Sequence, residues 1–285
     1  MAVTEKDYLV LSKLAYVNFD AYANVLALGQ TVPINQIDYS QTNQVASWQN
    51  YIEPMGDWKL INYVNKNGSS GYCGAAFLNS QTGDIVFASR GTEPYVLQYG
   101  MGDIKQDVQL ALIGGPSGTN NQFVDSLSFV TDTLSRVSGQ IVDRSNLSRF
   151  VNTYKVSFTG HSLGGGISEF LTYLTGGRSV TLNGVGIGQA INLDRATASG
   201  YNTLHLVISA DLTGNYGIPL GQVRSLADDL PRSGPDPGDY IDPSSISRLA
   251  QIINRYAWGQ ISTAQFYSNF STELVSMNNV TRNYI

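Results

Sequence analysis

The chain has 285 residues, of which 42% are hydrophobic and only 14% are charged, and its net charge is −5. A small negative charge gives no reason to expect nucleic acid or an anionic membrane as a partner. The single cysteine, Cys73, excludes an internal disulfide. The sequence shows no cysteine-based metal cluster either, so we expect no metal.

The N-terminal residues and the apolar runs bear on localisation. Glu5, Lys6, Asp7 and Lys13 interrupt the start of the chain, which is unlike the apolar core of a secretory signal peptide. No apolar run is long enough to cross a membrane, so we expect no integral membrane segment. The expectation is a soluble protein that is either cytoplasmic or exported by a route without an N-terminal signal peptide.

No linker, repeat or low-complexity block divides the sequence, which predicts a single domain over residues 1–285. Residues 1–57 are predicted to form a helical and polar N-terminal extension. Residues 212–243 are predicted to form a loop or a lid. Within them, Asp228 to Asp239 is dense in Pro, Gly and Asp and could be a lid over the acyl pocket, an adventitious calcium site or a plain surface loop. Residues 244–285 are predicted to form closing helices.

Hydrophobic periodicity predicts the helices and strands in the first half of the chain. Tyr8 to Ala15 favours a helix, and Trp58 to Val64 a strand. Tyr72 to Leu78 and Ile85 to Ser89 are predicted to form a hairpin closed by a turn at residues 79–83. The spacing from Phe123 to Val137 predicts a helix with a core-facing stripe.

The second hairpin strand leads directly into Arg90, Gly91 and Thr92. An acyl-transfer site needs an oxyanion donor from a loop that follows an early strand, and the Thr92 backbone N–H could supply it. Taken alone, the segment is equally consistent with an ordinary Gly-Thr strand exit.

The most informative stretch surrounds Ser162. Tyr154 to Phe158 alternates like a strand, and apolar residues from Ile167 to Leu174 have helical spacing. Between them, Ser162 is flanked by Gly160 and Gly164 in the G-x-S-x-G pattern of a nucleophile elbow. The Leu163 N–H is then placed to bind a developing oxyanion. The alternative is a glycine-rich turn in which the serine only caps a helix.

A carboxylate follows a later strand. Leu204 to Ser209 is predicted to be a strand, and Asp211 comes just beyond its end. In the chain order Ser, Asp, His, the acid of a hydrolase triad occupies such a position. Asp211 is also a natural turn residue ahead of Gly214.

Four segments together resemble the class 3 lipases, and within them the bacterial phospholipase A1-like branch. They are IVFASRGTE, GDIKQDVQLAL, VSFTGHSLGGGISEF and LHLVISADLTGN, which span roughly Ile85 to Asn215. The resemblance implies an α/β-hydrolase fold, with a mostly parallel central sheet and helices on both faces. It also implies Ser162 as nucleophile, Leu163 and Thr92 as oxyanion donors, Asp211 as acid and no cofactor.

The sequence departs from that family in its histidines. The chain has two, His161 and His205, and neither follows the acid, where the triad base belongs. His161 is expected to point away from the serine and pack against neighbouring structure. His205 is expected about 20 Å from the site end of its strand. Ser244, before a predicted helix, is our first candidate for the missing histidine's position, and Pro219 is the second.

The resulting hypothesis is a hydrolase of lipid esters whose triad lacks its base. Its partners would be a lipid or small ester substrate and, transiently, a lipid surface. Without a base the serine stays protonated and is a weak nucleophile. A catalytically silent lipid-binding protein is therefore the alternative.

Overall fold

The computed structural model describes residues 2–39, 48–67, 69–91, 122–191, 193–208 and 217–226. Eight of the described strands form one sheet in the order β1-β2-β3-β4-β5-β6-β8-β10, and β7 pairs with β9 in a separate ribbon. The strands are β1 Val32–Pro33, β2 Trp58–Asn65, β3 Cys73–Asn79, β4 Ile85–Ser89, β5 Val156–His161, β6 Arg178–Leu182, β7 Gly186–Ile187, β8 Thr203–Ile208, β9 Gly217–Ile218 and β10 Gln222–Leu226.

The α-helices of the described chain are α1 Glu5–Leu14, α2 Ala23–Ala27, α3 Gln49–Ile52, α4 Gln122–Ser138, α5 Leu147–Thr153, α6 Leu163–Thr175 and α7 Arg195–Ala198. Short 3-10 turns occur at Asp20–Tyr22, Ile34–Gln36 and Gly188–Ile191. Among the described residues, no helix combines the length and apolar character needed to cross a membrane.

The sheet changes character at β4. The strands β1 to β4 pair antiparallel, whereas β4, β5, β6, β8 and β10 run parallel. Every residue of β4 is buried, as expected for a strand covered on both faces. The hairpin of β3 and β4 confirms the predicted one, with Gly74 opposite Ser89.

Helices cover both faces of the parallel half of the sheet. Alternate β4 residues face opposite sides, so the core clusters that they join show which helices lie on each face. Val86 and Ala88 belong to a core cluster with the apolar residues of α1. Ile85 and Phe87 belong to a second cluster, formed with residues of α4, α5 and α6. This arrangement confirms the predicted α/β-hydrolase class, a mostly parallel sheet with helices on both faces.

The N-terminal helix is part of the core. A capping box starts α1, where Asp7 N–H donates to Thr4 Oγ1 at 3.2 Å. Tyr8 then donates from its hydroxyl to Ser157 Oγ at 2.9 Å and accepts from Thr159 Oγ1 at its carbonyl, so α1 is bonded to β5. The described part of residues 1–57 is therefore not an extension, contrary to our expectation.

The predicted loop at 212–243 also needs correction where the structure describes it. Residues 217–226 contain β9 and β10 rather than an irregular loop. The strand β10 escaped prediction because its sequence QVRSL is polar and mostly exposed, so it lacks the alternation that marks a half-buried strand. The other residues of that loop, and the predicted helices at 244–285, lie outside the described residues.

Candidate active site

Ser162 occupies a strained turn between β5 and α6. Its backbone has φ 58° and ψ −128°, a conformation that residues other than glycine rarely adopt. Such strain persists only where the surrounding structure enforces it, and it is concentrated at functional sites. The predicted strand, turn and helix around Ser162 are confirmed, while its chemical role stays a prediction.

The two glycines of the motif are required by close backbone approach. A Cβ on Gly164 would lie 2.1 Å from the Ser89 carbonyl oxygen, and one on Gly160 would lie 2.3 Å from the Gly164 backbone. Since these contacts are with main-chain atoms, no side-chain rotation could relieve them. The glycines therefore let α6 start directly against the ends of β4 and β5.

Backbone hydrogen bonds hold the Ser162 peptide units on both sides. The Ser162 N–H donates to the Leu182 carbonyl at 3.2 Å, and its carbonyl accepts from Gly165 and Val185 at 2.9 and 3.2 Å. The following residue, Leu163, opens α6, where a backbone N–H has no acceptor within its own helix. This N–H is thereby suited to bind a negatively charged oxygen.

The loop after β4 reaches the serine. A Cβ on Gly91 would lie 3.0 Å from Ser162 Cβ, 2.6 Å from the Tyr16 hydroxyl and 2.5 Å from the His161 carbonyl oxygen. Gly91 is thus packed against the candidate nucleophile. Thr92, the predicted second oxyanion donor, is the next residue and lies outside the described residues.

His161 is bound to Tyr16 rather than to Ser162. Its Nδ1 lies 2.9 Å from the Tyr16 hydroxyl, and the two rings meet edge to face at 6.0 Å. Burial, assisted by the positive charge of Lys13, lowers the pKa of His161 to about 4. The imidazole is therefore neutral near pH 7, and the expectation that it packs against neighbouring structure is confirmed.

His205 is committed to a buried carboxylate. Its Nδ1 lies 2.9 Å from Glu169 Oε1 and 3.1 Å from the Thr181 hydroxyl, and both members of the pair are fully buried. The other carboxylate oxygen of Glu169 accepts the backbone N–H groups of Ile187 and Leu220, each at 3.2 Å. Burial raises the pKa of Glu169. This network ties α6 to β7, β8 and the residues after β9.

Of the remaining predicted site residues, the structure describes only Pro219. It lies between β9 and Gly221, and a Cβ on Gly221 would contact the carbonyl of Thr203, at the amino end of β8. A Cβ on Gly186 would lie 2.4 Å from the Pro219 nitrogen, and Val185, the residue before Gly186, donates its N–H to the Ser162 carbonyl at 3.2 Å, so Pro219 also contacts the segment that is bonded to the serine turn. Asp211 and Ser244 fall outside the described residues.

Sequence reasoning missed three residues around the site: Tyr16, Glu169 and Asn183. Glu169 had a detectable signal, since it is a lone carboxylate in the apolar helix sequence GGGISEFLTYL. The others had none, because their partners are distant in sequence. Among the described residues, no group of three His, Cys, Asp or Glu side chains could hold a metal ion.

No family model and no curated protein matches the chain. Solved structures similar to it include Lip2 lipase from Yarrowia lipolytica, at 16% identity over 78% of this chain and 76% of the other, with a TM-score of 0.43. A Rhizomucor miehei lipase propeptide complex has 16% identity over 79% and 68% and a TM-score of 0.45. Lipase II from Rhizopus niveus has 18% identity over 74% and 72% and a TM-score of 0.40. Similarities this weak leave function to be argued from the site.

Proposed function

We propose that this chain is a serine hydrolase of carboxylic esters of lipids. The observation that carries the proposal is the strained Ser162 turn, which is packed against Gly91 and followed at once by the start of α6. A left-handed serine between a parallel strand and a helix is the geometry of a nucleophile elbow. We also propose that the chain belongs to the bacterial phospholipase A1-like branch, which its sequence resembles.

In the proposed reaction, Ser162 Oγ attacks the ester carbonyl carbon, and its proton is transferred to the leaving alcohol. The negative charge on the carbonyl oxygen is bound by the backbone N–H groups of Leu163 and Thr92. Water then hydrolyses the acyl-enzyme and restores the serine. No cofactor takes part in this scheme, and transient contact with a lipid surface would deliver the substrate.

Proton transfer is the weak step of this scheme. Asp211 is proposed as the triad acid, whose task is to orient an imidazole and stabilise its charged form. Both histidines of the chain bond to other partners through Nδ1. We therefore propose that the base is absent and that turnover is slow. Ser244 is the favoured position for the missing histidine, and Pro219 is the second.

Covalent labelling tests the nucleophile directly. A fluorophosphonate probe should attach to the peptide that contains Ser162, as mass spectrometry would show. Ser162→Ala should abolish both the labelling and the hydrolysis of a p-nitrophenyl ester. Ser168→Ala is the matched control, because it removes a serine from the same helix whose hydroxyl donates to the Gly164 carbonyl; its labelling should equal that of the parent.

Two results would contradict the proposal. Label on a different serine, or unchanged hydrolysis by Ser162→Ala, would place the nucleophile elsewhere. A parent chain that binds lipid but is neither labelled nor hydrolytic would instead support the lipid-binding alternative.

A further inference from the structure

The Leu163 N–H, the oxyanion donor described above, belongs to the peptide unit that joins Leu163 to Ser162. This peptide is trans, so its N–H and its C=O point in opposite directions within one plane. The Ser162 carbonyl accepts from the Gly165 N–H at 2.9 Å and from the Val185 N–H at 3.2 Å. The direction of the oxyanion donor therefore depends on two hydrogen bonds at the other side of its peptide.

The backbone conformation of Ser162 makes these two hydrogen bonds important. Its ψ of −128° sets the direction of the following peptide, and together with a φ of 58° it is rarely adopted outside glycine. Such a conformation persists only where neighbouring structure holds it. The Gly165 bond is local to the first turn of α6, whereas the Val185 bond comes from another segment of the chain. The placement of that segment thus bears on the oxyanion donor.

The segment at 185–187 packs directly against α6. A Cβ on Gly166 would lie 3.0 Å from the Val185 carbonyl oxygen and 3.2 Å from Ile187 Cγ2. The Ile187 N–H donates to Glu169 Oε2 at 3.2 Å, and Glu169 is itself a residue of α6. These contacts form a closed ring, which runs from the oxyanion peptide through segment 185–187 to Glu169 and back along the helix.

The Glu169 carboxyl group holds more than this one segment. The same oxygen accepts from the Leu220 N–H at 3.2 Å, just after β9, and the other oxygen lies 2.9 Å from His205 Nδ1. Because β7 pairs with β9, one buried carboxyl group ties the whole ribbon to α6. An apolar side chain at position 169 could accept none of these hydrogen bonds.

We propose that Glu169 is a positioning residue for the oxyanion hole: it anchors segment 185–187, so that Val185 holds the peptide of Ser162 and Leu163 in the orientation that binds the oxyanion. This inference rests on the proposed function, since it takes Ser162 as the nucleophile. In a triad without its base, the oxyanion hole supplies much of the catalysis that remains. Loss of its alignment should therefore lower turnover directly.

Substitutions at position 169 test the anchor. Glu169→Leu fills a similar volume but removes the acceptor, whereas Glu169→Gln keeps a carbonyl oxygen for Ile187 and Leu220. Removing an oxyanion donor outright costs about 10²–10³ in kcat. We expect the misdirected donor of Glu169→Leu to lower kcat and the fluorophosphonate labelling rate about tenfold with unchanged KM, because the interaction is made in the transition state. Glu169→Gln should stay within about threefold of the parent.

His205→Leu is the matched control, because it breaks the other arm of the same buried network and leaves the Glu169 bonds to Ile187 and Leu220 in place. Its kcat, corrected for the folded fraction, should equal that of the parent. If Glu169→Leu does not fold, Glu169→Asp takes its place. Its carboxyl group is one methylene further from Ile187, so a loss of about threefold is expected.

Amide hydrogen exchange measures the anchoring without any catalysis. In Glu169→Leu the Val185 amide should exchange about tenfold faster relative to the Phe158 amide, which lies in the middle of β5 and reports global unfolding. In His205→Leu the ratio of the two exchange rates should equal that of the parent. A merely structural role would instead accelerate both amides alike.

Several outcomes would overturn the positioning role. They are parental kcat in Glu169→Leu, an equal loss in His205→Leu, no recovery in Glu169→Gln, and equal acceleration of the two amides. Failure of both Glu169→Leu and Glu169→Asp to fold would also overturn it, because the network would then serve the fold itself. A parent that is not labelled at Ser162 would remove the proposed function and the oxyanion role with it, while the exchange rates would still show whether Glu169 anchors the segment.

Discussion

The two histidines of this protein lie in contrasting surroundings, although each is bonded through Nδ1. His161 ends β5 beside the serine, is partly exposed and has a neutral partner, Tyr16, with the cation Lys13 nearby. His205 lies within β8, is fully buried and has a carboxylate partner, Glu169. Burial and Lys13 oppose a positive charge on the ring of His161, whereas the ring of His205 is hydrogen-bonded to the carboxyl group of Glu169.

The comparison shows that a histidine's role depends on what its ring nitrogens contact, and neither sequence position nor proximity decides it. His161 is adjacent to Ser162 in sequence, yet its Nδ1 is occupied by Tyr16 and its low pKa makes it a poor proton acceptor. His205 belongs to a network that joins four elements of the fold. Neither ring is arranged as a general base for the serine, which is why an added histidine should have the largest effect.

Ser244→His is the variant with the largest expected effect. If a triad base is missing from position 244, the substitution should raise kcat for a p-nitrophenyl ester by several powers of ten, because a triad base contributes about that much. Pro219→His is the comparison variant, because Pro219 is the second candidate position, and it should give no gain if position 244 is the correct one. A rise with Pro219→His, or parental kcat with both, would contradict the assignment of position 244.

Removal of Glu169 should have the next largest effect, on stability. Glu169→Ala removes the carboxyl group that contacts His205 and accepts from the buried N–H groups of Ile187 and Leu220, which should cost about 3–5 kcal/mol of unfolding free energy. Glu169→Gln can replace these hydrogen bonds, so it should cost only about 1 kcal/mol. Urea denaturation at pH 7 measures both. Equal losses in the two variants would show that charge, rather than hydrogen bonding, governs this network.

An effect smaller than that of Glu169→Ala is expected from His161 and pH. Its folded pKa of about 4 lies below the ordinary 6.5, so its stabilising contribution is present above pH 6.5 and is lost as the pH falls towards 4. Relative to His161→Gln, the parent should lose roughly 2 kcal/mol over that interval, allowing for partial exposure of the ring. Tyr16→Phe serves as the control, because it removes a hydrogen bond but leaves burial and Lys13, and should keep the pH dependence.

Glu169 should respond to pH in the opposite sense. Its pKa is raised by burial, so its contribution is present at acidic pH and is lost as the pH rises through the raised value. The difference in unfolding free energy between the parent and Glu169→Gln should therefore fall with rising pH. A difference that rose with pH would show that the carboxylate is stabilised in its charged form.

Features set by local sequence could be predicted, because the physical cause lies within a few residues. The elbow was predictable from Gly160 and Gly164, since two backbones can approach closely only without side chains between them. The β3–β4 hairpin and the helix α4 followed from periodicity. The end of α6 also has a local cause, since Gly176, with a φ of 72°, follows its last residue.

Features set by distant contacts could not be predicted. The Asn183 side chain accepts a hydrogen bond from the N–H of Ile208, 25 residues later, beyond the point where the β6–β8 ladder stops. The Glu169 and His205 pair spans 36 residues, and only the fold shows that both side chains face the same interior. The polar edge strand β10 is held by its backbone bonds to β8, which leave no hydrophobic pattern in the sequence.

The attachment of α1 to β5 has a consequence for the order in which the chain folds during synthesis. The Tyr8 hydroxyl and its partner Ser157 are 149 residues apart. At a translation rate of about 5–20 residues per second, the helix waits roughly 7–30 s for its strand to be made. An isolated helix of 10 residues is only marginally stable in water. The helix α1 is thus synthesised long before the strand that it packs against, and until then its apolar face is exposed to chaperones or to wrong partners.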